Sequence, residues 1–187
     1  MNPMLWTIPG GAPVNLFFAL TPPDAVLPAM ERLGGTLQQA HRLRGRRITK
    51  DRLHNTLAAV HDAGSITENI ERAKRIGARI RYPSFPVRFE WTGSFKVGQA
   101  RYPLVLRGED GLKPLIAFRQ EVCSQMARAG FAVARNYTPH VTLLWADRCV
   151  EEYPIAPIGW TVREFVLVMS VVGSSQHSHL ARWSLNR

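Results

Sequence analysis

The chain has 187 residues, 45% of them apolar, which allows one domain with a sizeable core or one domain built from two similar lobes. It holds no run of about 18 apolar residues, so no membrane-spanning helix is expected. Met1 to Pro13 lacks a basic start followed by an apolar stretch, so no secretory leader is expected either. A formal charge of +10 and a pI near 10.6 disfavour basic partners and favour RNA, DNA or phosphorylated small molecules.

In chain order, residues 1–13 read as a flexible lead-in rich in Pro and Gly, and 14–187 as the folded domain. Asn15 to Leu20 (NLFFAL) is a buried strand by length and composition. Thr21-Pro22-Pro23-Asp24 stops it and opens a helix to about Leu43, with Gly34-Gly35 as a possible break. Residues 41–52 (HRLRGRRITKDR) hold six Lys/Arg and one Asp, a basic loop. Arg52 to Val60 reads as a strand and Ile66 to Ile80 as an amphipathic helix. Phe85 to Trp91 alternates as a half-buried strand. Gly93 then turns the chain toward Phe95-Lys96-Val97, and Pro103 to Leu106 is a further strand. Leu112 to Ala129 is helical, with Gly130 at the left-handed C-cap position. Val141 to Trp145, Glu164 to Ser170 and Leu180 to Leu185 are strands. Cys123 and Cys149 make no metal spacing and require no bridge, so a reducing, cytoplasmic setting is the expectation.

One phrase occurs twice. His54-Asn55-Thr56-Leu57 and His140-Val141-Thr142-Leu143 are both His-x-Thr-Leu, in a chain with only six His. Its 10 Thr and 18 Leu would place only about 0.03 such words by chance. Each word falls on a strand that follows a helix, which implies a weak internal duplication: two facing lobes with a cleft between them. On a strand, residues i and i+2 share a face. His54 and Thr56 therefore look one way, and His140 and Thr142 likewise share a face, while Leu53, Leu57, Val141 and Leu143 look the other way. Asn55 spoils the first apolar side.

Two imidazoles flanking one phosphate can divide acid–base work. One, neutral, activates water or a ribose hydroxyl, and the other, protonated, serves the leaving oxygen. Thr56 and Thr142 can donate to the non-bridging oxygens where charge builds up. Asp and Glu do not cluster near either word, so no metal and no cofactor are expected. The residues alone do not order the two histidines. His41 and His61 have no such partner and read as surface residues, whereas His177 and His179 lie where they can line the cleft.

Four stretches resemble the 2H phosphoesterase superfamily, and within it the RNA 2′,3′-cyclic phosphodiesterases also called the 2′-5′ RNA ligase family. They are Asn15 to Leu20 with Pro22, Leu53 to Ala58, Arg135 to Leu143, and Phe165 to Ser170 with Arg182 to Leu185. Trp145 departs from the usual Arg, Asn15 from a frequent Arg, and His177 from a common Tyr. The resemblance implies an α+β, bilobal fold: two pseudo-symmetric lobes of antiparallel sheet, with outer helices, around a central cleft. It implies metal-independent hydrolysis of RNA terminal 2′,3′-cyclic phosphates to 2′-phosphates, with reversible 2′-5′ RNA ligation on the same site. It also implies His54 as proton donor, His140 as proton acceptor, and Thr56, Thr142 and Arg135 as phosphate-binding residues. Arg42, Arg44, Arg46, Arg47, Lys50 and Arg52 are the expected RNA-backbone contacts, and a monomer with no membrane partner is the expected state. The rival readings are a non-catalytic RNA-binding module, supported by the charge and by Trp145, and a phosphodiesterase on a small cyclic nucleotide or ADP-ribose cyclic phosphate.

Overall fold

The computed structural model of the chain describes residues 6–7, 11–96, 101–174 and 177–186. In chain order the described elements are β1 (Trp6–Thr7), β2 (Pro13–Leu20), α1 (Leu27–Ala40), β3 (Gly45–Arg47), β4 (Asn55–Val60), α2 (Ile66–Arg79), β5 (Phe85–Ser94), β6 (Tyr102–Arg107), α3 (Lys113–Arg128), β7 (Val141–Ala146), β8 (Tyr153–Val162), β9 (Glu164–Val171) and β10 (His177–Ser184). They form two antiparallel sheets. In one, β4 pairs with β2, β2 with β9 and β9 with β10; in the other the order is β7-β6-β5-β8. The two series correspond strand for strand. The segment holding α1 leads from β2 to its neighbour β4, as α3 leads from β6 to its neighbour β7. β1 is added beside β2, and β3 on the outer edge of β7. This is the α+β architecture of two antiparallel sheets.

The continuous apolar run of β2 has a physical reason: the strand is buried on both faces. Leu16, Phe18 and Leu20 enter the main core with Leu57, Phe118, Leu143 and Phe165, while Phe17 and Ala19 meet Val166 and Val168 on the other face. Helix α2 starts where Ser65 and Glu68 exchange side-chain and backbone bonds in a capping box. Gly130 takes the left-handed φ of 85° after α3.

Several expectations are corrected. α1 begins at Leu27 rather than at Thr21–Asp24, ends at Ala40 rather than Leu43, and runs unbroken through Gly34-Gly35. Those glycines face neighbours instead of a break: a Cβ on Gly34 would lie 3.8 Å from the Leu143 Cβ, and one on Gly35 3.1 Å from the Arg47 guanidinium. Gly93 does not turn the chain. β5 passes straight through it, and a Cβ there would come within 2.8 Å of the Glu152 backbone. Phe95 and Lys96 are not strand, and Val97 lies outside the described residues. The basic loop contains the short strand β3 and a 3-10 turn at Lys50–Arg52. Within the expected lead-in, Trp6–Thr7 pairs with β2, the Trp6 indole donating to the Gly64 carbonyl at 3.2 Å; residues 1–5 and 8–10 lie outside the described set. His61 stacks on Trp6, and His41 hydrogen-bonds the Tyr153 hydroxyl at 2.8 Å, so both are half-buried rather than free surface residues. Both cysteines are free. Among the described residues no helix is long and apolar enough to cross a membrane.

Gly77 inside α2 shows packing overruling propensity. Alanine is favoured over glycine in a helix by about 1 kcal/mol, yet a Cβ here would lie 2.4 Å from the Trp183 ring. Trp183 is itself stacked on Phe165 at 5.0 Å. Gly77→Ala is therefore expected to lower stability by about 1–3 kcal/mol in denaturant unfolding. A stabilised variant would show that the indole moves aside freely.

Candidate active site

The two His-x-Thr-Leu words take one local structure. Each histidine stands immediately before its strand, β4 or β7, so His54 is not inside a strand running from Arg52 as the sequence suggests. Both strands carry a register shift at the motif leucine. Opposite β2, Thr56 and Ala58 face consecutive partners Ala19 and Phe18, leaving Leu57 as the extra residue. Opposite β6, Thr142 and Leu144 face Val105 and Leu104, leaving Leu143 extra. Such a bulge reverses the alternation beyond it. The burial sequence along β4 and β7 is accordingly identical: the threonine half-buried, the next two residues buried, then Ala59 and Trp145 exposed at equivalent positions.

The imidazoles are also held alike. His54 Nδ1 lies 2.7 Å from the Arg52 carbonyl and His140 Nδ1 lies 2.8 Å from the Thr138 carbonyl. A carbonyl only accepts, so each Nδ1 carries a proton and Nε2 is left as the nitrogen that titrates. Each ring also packs on an aromatic: Phe17 stacks on His54 at 5.1 Å, and Phe95 meets His140 edge-on at 4.9 Å.

Asn55, 1% exposed, ties the two motifs together. Its amide donates to the His140 carbonyl at 2.8 Å and accepts the Tyr137 hydroxyl at 2.8 Å. Arg119 of α3 braces the same junction. It donates to the Leu57 carbonyl at 3.0 Å and to the Ala134 carbonyl at 2.7 Å, with its guanidinium over the Tyr137 ring.

Burial is the main influence on both histidines and favours their neutral forms. His54 is lowered by desolvation and further by the charge of His140, and His140 by desolvation and by Arg107. His177, edge-on to His54 at 5.1 Å, is pushed down to about 4 by desolvation, with the charges of His54 and Arg52 adding to it.

The structure thus brings His54 and His140 together through Asn55, with Thr56 and Thr142 half-buried on their strands. Of the basic run, only Arg52 sits close enough for its charge to act on His54 and His177; its Nε is buried without a hydrogen-bond partner. Arg42, Arg44, Arg46, Arg47 and Lys50 are exposed along β3 and its flanks. Arg135 is exposed in the segment before β7, and the cation that acts on His140 is Arg107. His179 lies further along β10, its Nδ1 3.4 Å from the Arg182 guanidinium. Asn55, Phe17, Phe95 and Arg107 are site residues that sequence reasoning missed. Only Asn55 left a signal, as the polar residue that interrupts an apolar face. Among the described residues no three His, Cys, Asp or Glu side chains gather as a metal set.

Asn55→Ala would strand the His140 carbonyl and the Tyr137 hydroxyl, at a cost of about 1–3 kcal/mol. Denaturant unfolding should show that loss, and an unchanged midpoint would show the bridge to be dispensable.

Residues 22–172 match the 2′-5′ RNA ligase superfamily. Among solved structures, E. coli LigT complexed with ATP is 25% identical, with a TM-score of 0.71 over 92% of this chain and 98% of that one. TT0787 of Thermus thermophilus is 19% identical, with a TM-score of 0.72 over 91% of this chain and 97% of that one. Usb1 of Kluyveromyces marxianus is 14% identical, with a TM-score of 0.56 over 89% and 98%. The last two show a shared fold alone. No curated protein sequence matches significantly. The matched family supports activity of the phosphoesterase or RNA ligase type. With two thirds of its length and more inside the family match, and its two-sheet fold shared with LigT, the chain belongs to the 2′-5′ RNA ligase superfamily of 2H phosphoesterases.

Proposed function

We propose that the chain opens 2′,3′-cyclic phosphates at RNA ends, yielding 2′-phosphates, without a metal ion; 2′-5′ joining is the same chemistry run with a 5′-hydroxyl as nucleophile. The observation that carries the reading is the matched suspension of two imidazoles, each fixed through Nδ1 by the carbonyl two residues behind it. Neutral His140 takes a proton from water through Nε2 as the water oxygen bonds to phosphorus. His54, protonated, gives its Nε2 proton to O3′ as the P–O3′ bond breaks. Thr56 and Thr142 donate to the non-bridging oxygens, with Arg135 as a further phosphate contact. The exposed cations from Arg42 to Lys50, with Arg52 nearer the centre, carry upstream RNA phosphates. E. coli LigT, solved with 3′-AMP and with phosphate, supports ligands of this class.

Purified protein should open a cyclic nucleotide in excess EDTA, and His54→Ala and His140→Ala should each lower the rate by about two to four orders of magnitude. Full activity in either variant would sink the reading. An RNA-binding module would bind oligonucleotides equally well in wild type and both variants, with no turnover.

The pH profile has a direction. One imidazole must be charged and the other neutral, so kcat/KM should be bell-shaped, with apparent values belonging to the pair. Burial lowers both groups below the ordinary His value of about 6.5. Both limbs should therefore move to lower pH, and the maximum should fall on the acid side of 6.5. A maximum above pH 7 would show that something other than burial governs the two groups.

A further inference from the structure

We infer that Trp145 is a stacking platform for a nucleobase, which makes the β7 lobe the side of the cleft that receives the base. The inference rests on the phosphoester reading only for where the phosphate lies. A singly exposed apolar side chain is ordinary on a protein surface; Trp145, 41% exposed, is set apart by where its strand places it.

Strict alternation from Thr142 would turn residue 145 to the opposite face, into the core. The register shift at Leu143 reverses that and returns Trp145 to the face of His140 and Thr142. The reversal is part of the repeated motif, because β4 carries the same shift at Leu57. At the equivalent place on β4 the residue is Ala59, exposed and with only a methyl to offer a base. Two half-sites alike in strand backbone, strand burial pattern and imidazole suspension therefore present, at this outward position, an indole on one side and a methyl on the other.

The surroundings of Trp145 suit a planar, anionic ligand. Its register partners are Pro103 on β6 and Arg46 on the edge strand β3, so a cation stands across the strand on the outer side and a compact ring on the inner. Three residues of extended chain separate it from Thr142, at most about 10 Å. That is the reach from a ribose phosphate to the far edge of its own base. Every base has a π-face, and stacking on an indole tolerates sequence while favouring the larger purines. The ligand class is a purine nucleoside phosphate, its phosphate between the threonines and its base on Trp145.

The test is binding, which does not require turnover. Adenosine 3′-monophosphate, cytidine 3′-monophosphate and inorganic phosphate are titrated calorimetrically into wild type, Trp145→Ala and Trp145→Phe. Trp145→Ala should weaken adenosine monophosphate by about tenfold to a hundredfold, weaken the cytidine nucleotide less, and leave phosphate unchanged. Trp145→Phe should keep most of the affinity. Equal adenosine monophosphate affinity in wild type and Trp145→Ala would overturn the inference. So would an equal loss for nucleotide and phosphate, or a wild type that binds the nucleotide no better than phosphate. Turnover of a cyclic phosphate is measured separately. Its absence would refute the hydrolytic reading while the titrations still decide the platform.

Discussion

Asn55 donates its amide to the carbonyl of His140 and accepts the hydroxyl of Tyr137, and both bonds cross from the first motif to the second. At 1% exposure neither end of that amide has water to fall back on. A buried amide that loses its partners costs more than the bonds are worth when made, so the two strands have one satisfactory arrangement. Burial also pushes the Tyr137 hydroxyl up, which keeps its proton on and its donor role intact. Arg119 then bonds carbonyls on both sides of the same junction. Opening the lobes like a hinge would strand several polar groups together. The relative position of the two histidines is therefore a property of the buried network.

The same enclosure sets the charge state of the site. The central imidazoles lean neutral, because desolvation outweighs the hydrogen bonds that would favour protonation. The nearby cations, Arg52 and Arg107, push the same way, and Arg107 is partly offset by its ion pair with Glu152. Filling such a site with an anion reverses the balance. A phosphate between the imidazoles would raise both groups, so ligand binding and proton uptake are linked.

Local signals carried much of this fold. Helix α2 declared itself by its amphipathic periodicity and α3 by a C-cap glycine at Gly130. β8 did not, because Pro154, Pro157 and Gly159 punctuate it like a loop; it is an edge strand, where missing N–H donors are tolerated. β3 is three exposed residues and has no apolar pattern to read. Gly93 and Gly34 read as punctuation, whereas their reason is the close approach of neighbouring elements distant in sequence. At the site, the repeated words marked His54, Thr56, His140 and Thr142. The contacts of His54 with Phe17 and His177 span the length of the chain, and no local pattern announces them.

Duplication poses a chemical difficulty that coupling between the two imidazoles resolves. General acid–base catalysis on one phosphate needs two groups in opposite protonation states, while a repeated word in a repeated backbone tends to make them equal. Here the backbones are equal and the neighbours are not. His54 packs against both the Phe17 ring and the His177 ring, which also touch each other, with Arg52 nearby. His140 meets Phe95 edge-on, and its nearby cation, Arg107, is also paired to Glu152. His54 also feels the charge of His140 directly, so protonating one disfavours protonating the other. Coupling of that sign favours a pair that holds one proton over a pair that holds two. Under the proposed reaction that singly protonated pair is the working state, and it arises from the coupling between two copies of one motif rather than from the packing around either.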